Sequence, residues 1–227
     1  GELVNHCKTL HKLKLYLNCF VLCLIVPLAM AMATARSAEA TTIVNFSTAM
    51  GNFSLELFDD VAPGTVANFL NYVDSGRYDN VVIHRSILGF VIQGGLLSID
   101  DQQNTVSRIV TDPNIVNEFS ISNTRGTIAM AKVGGQVNSA SSQWFINAGN
   151  NSSLDSVDGG FTVFGRVLDD GMDVVDAINA LFTTTVFFTV AGNLADFPLL
   201  NYSGGNLTLA NLIDASISRE EDLNSAP

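Results

Sequence analysis

The stretch VVIHRSILGFVIQGG, residues 81–95, sets a histidine and an arginine side by side in an otherwise apolar run, then adds Gln93 and two glycines. Polar side chains in such a run cost free energy unless a partner satisfies them, and the partner is either inside the fold or a ligand. In an unknown fold Arg85 is first of all a buried ion-pair partner, and Gln93 a satisfied core amide. The catalytic alternatives are few. His84 could serve a Ser-His-Asp hydrolase, but no Gly-x-Ser-x-Gly elbow supplies the nucleophile. Gly134-Gly135 and Gly159-Gly160 lack the following lysine and helix of a phosphate cradle. The acidic residues fall in helices and loops as solvated charge. From residue 41 onward His84 is the only histidine and there is no cysteine, which excludes a multi-histidine or thiolate metal site. No metal and no cofactor are expected.

The chain that must position these residues has 227 of them, enough for one domain with a sizeable core or at most a small pair. It is 47% hydrophobic and 15% charged, a globular composition. The net charge of −11 argues against a nucleic-acid partner, which would call for clustered Lys and Arg. Residues 1–40 stand apart. Lys8, Lys12 and Lys14 precede the apolar LYLNCFVLCLIVPLAMAMA (15–33), and small residues with Ala-x-Ala options follow at 31–33 and 38–40. This is the pattern of a secretory signal cleaved between about 33 and 40; a membrane anchor is the alternative, because a 19-residue stretch, here broken by Asn18 and Pro27, just spans a bilayer. Export to a bacterial periplasm is the expectation. All three cysteines lie in this segment, and residues 41–227 carry 7 Lys and Arg against 20 Asp and Glu, a net of −13.

Residues 41–227 read as one domain, mostly strand. TTIVNFSTAMGNFSLELF (41–58) alternates around a Met50-Gly51-Asn52 turn, a hairpin signal. In APGTVANFLNYVDSG, Val66, Phe69, Leu70 and Val73 define one apolar helix face, with Pro63 in the first turn and Gly76 past the end. Further strands are expected at 81–85, 90–93, 127–131, 143–147, 161–168 and 207–217, and a second helix at 171–181. Long irregular segments remain at 96–126, 132–142 and 182–206. The first two are placed to border a groove, the third to pack over a barrel end. Many short strands with two isolated helices predict a mainly β fold, a closed antiparallel barrel with its ends covered by the helices.

At this level IHRSILGFVIQGG resembles the Phe-His-Arg-x-x-x-x-Phe-x-x-Gln-Gly-Gly signature of cyclophilins, the peptidyl-prolyl cis-trans isomerases. NTRGTIAMAK is similar to the family's Gly-x-x-x-Met-Ala strand. NSASSQWFIN is similar to its Ser-Gln-Phe-Phe-Ile strand in the bacterial form, and LDSVDGGFTVFGRVLDDGMDVVDAI to its closing strand and second helix. The match runs from about residue 42 to 182 and resumes in the last strand.

The resemblance implies an eight-stranded barrel with a proline-binding groove on its outer face, and isomerisation of X-Pro bonds. Arg85 then matches the catalytic arginine and Gln93 the glutamine that orients substrate. Phe90, Val91, Phe145 and Leu154 match the proline pocket, with Phe161 where animal members often carry histidine. Ala131 and Lys132 match the strand edge that bonds the substrate chain, and His84 and Gln143 match groove positions. The implied partners are proline-containing polypeptide clients of a monomeric enzyme. A peptide-binding chaperone or scaffold without turnover is the alternative. Four departures stand out: Ser153 replaces a tryptophan, Val91 a methionine and Lys132 an asparagine, and VGGQVNSAS is about two residues longer than the common form. The family's tryptophan holds the cyclic peptide cyclosporin, so weak or no cyclosporin binding is expected here.

Overall fold

The computed structural model describes residues 41–220; the expected signal segment, with its three cysteines, lies outside the described residues. Strands β1 (Ile43–Thr48) and β2 (Gly51–Leu57) form the hairpin that alternation implies. Val44, Phe46, Phe53, Leu55 and Leu57 are buried, while Asn45, Ser47, Asn52 and Ser54 between them are not. Helix α1 (Pro63–Asp74) buries Val66, Phe69, Leu70 and Val73, the face its 3.6-residue spacing predicts. Its N-cap, Ala62, has no side chain to offer. The Glu118 carboxylate accepts from the N–H groups of Gly64 and Thr65 instead, at 3.0 and 2.7 Å, and so satisfies amides that a helix start leaves free.

The remaining strands are β3 (Val81–Val82), β4 (Arg85–Ile87), β5 (Val91–Gly94), β6 (Leu97–Asp100), β7 (Thr105–Arg108), β8 (Thr127–Met130), β9 (Trp144–Asn147), β10 (Val163–Val167), β11 (Phe182–Phe188), β12 (Gly192–Leu199) and β13 (Asp214–Arg219). Helix α2 spans Gly171–Asn179 and buries Val175 and Ile178. Eleven strands make one curled antiparallel sheet in the order β4-β5-β9-β8-β10-β2-β1-β13-β3-β6-β7. The closed eight-stranded barrel expected from the sequence is therefore corrected to an open ladder of eleven strands. Two causes produce the difference. The run 81–87 breaks at Ile83-His84, so its first half pairs with β13 and its second with β5. Beyond β3, the segment expected to be irregular supplies the β6–β7 hairpin.

Phe46, Phe69, Tyr78, Trp144 and Phe164 fill the main core, and the Phe46 ring meets Trp144 edge-on at 5.3 Å. A second cluster lies outside it. The expected loop at 182–206 is in part a hairpin, β11–β12, whose Val186, Phe197 and Leu199 pack with Val82, Leu97, Ile99 and Leu212. The run FTTTVFFTV carries the β-branched and aromatic signature of a strand, but its turn, Thr189-Val190-Ala191, lacks the Asn-Gly or Asp-Gly that announces a hairpin. The last strand is also later than expected: 207–213 is largely loop and 3-10 helix, and pairing begins at Asp214.

Candidate active site

Three neighbouring strands bring the polar residues together. β4 pairs with β5 so that Arg85 faces Gln93, and β5 pairs with β9 so that Gln93 faces Phe145. Directly opposed residues on antiparallel strands share a face, so guanidinium, amide and ring emerge side by side. Arg85 Nη1 donates to Gln93 Oε1 at 3.3 Å, and Gln93 Nε2 donates to Gln143 Oε1 at 3.1 Å. The glycines after Gln93 make this close packing possible. A Cβ on Gly94 would lie 2.6 Å from the Trp144 ring, and one on Gly95, at φ +88°, would lie 2.2 Å from the Ser142 carbonyl oxygen.

These residues open into a groove of about 270 Å³. Arg85 and Gln93 supply its polar wall. Val91 and Phe145 are nearly covered and form an apolar floor with Ala129 and Val163 beneath. Phe90, Leu154 and Phe161 rise around it, with Phe161 meeting Phe145 edge-on at 5.7 Å. Ala131 and Lys132 complete the lining.

Two of the expected site residues stand outside the groove wall. Gln143 reaches the site through its hydrogen bond with Gln93. His84 is 4% exposed and Nδ1 finds no hydrogen-bond partner. Burial, with some help from the Arg85 charge, pushes its pKa down to about 4, so the ring is neutral at pH 7. One position along the chain separates a groove residue from a buried one, so His84 can act on the site from behind the wall and not from within it. Ala131 lines the groove at the strand edge. Its N–H is bonded to the Gln143 carbonyl at 2.8 Å.

The fold also contributes supporting residues that motif spacing does not single out. Asn151 Nδ2 donates to the Phe90 carbonyl at 2.8 Å and to Asn147 Oδ1 at 2.7 Å, and its own carbonyl receives the Leu154 N–H. Asp155 accepts from the Ser122 hydroxyl and from the Asn123 N–H, while Asn123 Nδ2 also reaches the Phe161 carbonyl at 3.1 Å. Burial works to raise the Asp155 pKa, but the Ser122 and Asn123 hydrogen bonds outweigh it and leave the carboxyl below its usual range. This network fixes the short 3-10 helix Ser152–Ser156, and with it Leu154, against the strands. Asn123 and Asn147 are fully buried. Nothing in their local spacing distinguishes them from loop asparagines.

The depressed His84 pKa has a consequence for stability. The unfolded histidine, near pH 6.5, takes up a proton before the folded one does. Stability is thus full above about pH 6.5 and falls as pH drops toward 4, by at most about 1.4 kcal/mol per pH unit from this group. A His84→Gln protein should show a shallower acid limb when Tm is followed from pH 7 to 4. Parallel curves for the two proteins would assign that limb to other groups.

Comparison with known proteins agrees with the geometry. Residues 43–193 match the family described as cyclophilin type peptidyl-prolyl cis-trans isomerase. The chain is 41% identical over 160 residues to peptidyl-prolyl cis-trans isomerase A of Dickeya dadantii, covering 69% of this chain and 80% of that one. It is 43% identical over 148 residues to peptidyl-prolyl cis-trans isomerase B of Escherichia coli, covering 62% and 86%. A crystal structure of a cyclophilin type isomerase from Cryptosporidium parvum, at 23% identity, superposes with a TM-score of 0.58 over 80% of this chain and 99% of that chain, a likeness of fold. The sequence match over more than half the length and the shared curled sheet lead to one conclusion: the chain belongs to the cyclophilin-type peptidyl-prolyl cis-trans isomerase family.

Proposed function

We propose that the chain is a peptidyl-prolyl cis-trans isomerase that holds the proline ring over Phe145, with Phe90, Leu154 and Phe161 around it, and rotates the X-Pro bond beside Arg85. The observation that carries this reading is the partnering of the cations. Of the seven Lys and Arg among the described residues, four are ion-paired to carboxylates. Arg108 and Lys132 donate to backbone carbonyls. Arg85 alone has a neutral side-chain amide as its partner, at 3.3 Å, and it lines the groove. Its field is therefore not cancelled by a neighbouring anion.

The physics of the reaction uses such a group. An X-Pro bond rotates over about 18–20 kcal/mol because its C–N bond has partial double-bond character. In the twisted state that resonance is lost and the nitrogen gains lone-pair density. A guanidinium N–H aimed there binds the twisted state better than either planar isomer, which is the requirement for catalysis. A gain of about 10⁵ in rate needs about 7 kcal/mol of differential binding. The apolar floor lowers the local dielectric and strengthens the effect. No proton moves, so a neutral, buried His84 is compatible with the mechanism. Proline-limited isomerisation of a short X-Pro peptide, with and without protein, is the direct test. Binding without acceleration would favour the chaperone reading.

We also propose that the enzyme is of bacterial type and is exported, its clients being exported polypeptides. The basic, apolar and small-residue order of residues 1–40 supports export, and the Dickeya and Escherichia relatives support the bacterial type. N-terminal sequencing of protein from its native host should find a start between Thr34 and Thr41. Membrane-bound protein that keeps Lys8–Lys14 would establish the anchor instead.

A further inference from the structure

The groove has the opposite charge to the chain that carries it. Residues 41–227 hold 20 Asp and Glu against 7 Lys and Arg, yet the groove wall contains Arg85 and Lys132 and no carboxylate. The Lys132 ammonium is held in a defined place. Nζ donates to the carbonyl oxygens of Asp158 and Gly160, both at 2.7 Å, and stands 4.8 Å from the centre of the Phe161 ring. With the side chain held this way, little of its rotamer freedom remains to be lost when a ligand arrives. An ammonium has three N–H donors, so the two carbonyls leave one donor unused and the full unit charge in place. The neighbouring Asp158 turns its carboxylate to the Gly135 N–H at 3.0 Å and is not part of the wall.

We infer that Lys132 is a specificity-determining residue that selects proline-containing chains carrying Asp or Glu beside the X-Pro bond. The inference rests on the reading of the groove given above and adds to it the class of substrate. A carboxylate on the bound chain meets a pre-placed ammonium at a half-buried wall, whereas a lysine there meets two like charges. A wall without charge would treat both alike.

Tetrapeptides with Glu, Ala or Lys placed in turn two residues before proline, one before it and one after it provide the test. For the wild type, kcat/KM for Glu is expected to exceed that for Lys by about three- to tenfold at one or more positions, the range that partly exposed charge pairs give. The ratio should fall by about threefold in Lys132→Gln, persist in Lys132→Arg, and approach one near 1 M salt, where the Debye length is about 3 Å. Equal ratios in wild type and Lys132→Gln, or no wild-type preference at any position, overturn the inference. Measuring Kd for the same peptides separates it from the isomerase reading. An acid preference in Kd that Lys132→Gln abolishes, without turnover of any peptide, supports the role of Lys132 while refuting the enzymatic function.

Discussion

Replacing Arg85 by alanine is expected to lower kcat/KM for a short X-Pro peptide by about a hundredfold or more, roughly 2.7 kcal/mol of transition-state stabilisation. The loss should fall on kcat rather than on KM, because the guanidinium acts on the twisted amide and the ring is held by Phe90, Phe145 and Leu154. Folding should survive. Arg85 has one side-chain partner, Gln93, and that amide keeps its second bond to Gln143. No buried carboxylate is left unpaired, so the large penalty of an abandoned buried charge does not arise. Circular dichroism and Tm establish that the variant is folded; full activity in a folded Arg85→Ala protein would refute the mechanism. His84→Ala should reduce activity less, since His84 does not line the groove. An equal loss would place His84 in the catalytic group after all.

Cyclosporin should bind the wild type roughly ten- to a thousandfold more weakly than it binds Ser153→Trp. Ser153 is exposed in the short 3-10 helix, next to the groove residue Leu154. The helix is fixed from both ends by Asn151 and Asp155, so a tryptophan introduced there is presented at the groove rim by a rigid support. A fully covered aromatic side chain buries on the order of 150–250 Å². A fraction of that, at about 25 cal/mol per Å², is worth about 1–3 kcal/mol. An indole hydrogen bond adds about 1 kcal/mol. At about 1.4 kcal/mol per tenfold, these contributions span the stated range. Activity on short peptides should change little, because the walls of the proline pocket are untouched. Inhibition titrations of both proteins test the assignment, and equal affinities would show that another residue already covers this part of the rim.

Local physics made several elements legible before any tertiary contact was known. The spacing of Val66, Phe69, Leu70 and Val73 between Pro63 and Gly76 sufficed for α1, and strict alternation on both sides of Met50 sufficed for β1 and β2. The resemblance of residues 84–95 to a known signature was enough to nominate Arg85 and Gln93, and strand pairing sets them face to face. For residues 41–227, composition argued against thiolate and multi-histidine metal chemistry without a structure, because that stretch holds no cysteine and one histidine.

Other features depended on pairings between residues far apart in the chain, which no local period encodes. In VVIHRSI both faces of the run are apolar, so alternation could not say which of His84 and Arg85 meets the groove; the partner strands settle that, with Arg85 opposite Gln93 and the 81–87 run split between β13 and β5. The helix start at Pro63 is capped by Glu118, 54 residues past Gly64, because Ala62 has no side chain to do it. The β11–β12 hairpin lacks the usual turn residues and is held instead by packing of Val186 and Phe197 on Leu97 and Ile99. The resemblance places Lys132 at the strand edge beside the groove, but where its ammonium sits could not be read from the sequence. The position of its ammonium is fixed by two backbone carbonyls 26 and 28 residues away, which become neighbours only when the loop after the 3-10 helix comes up to the chain just past β8.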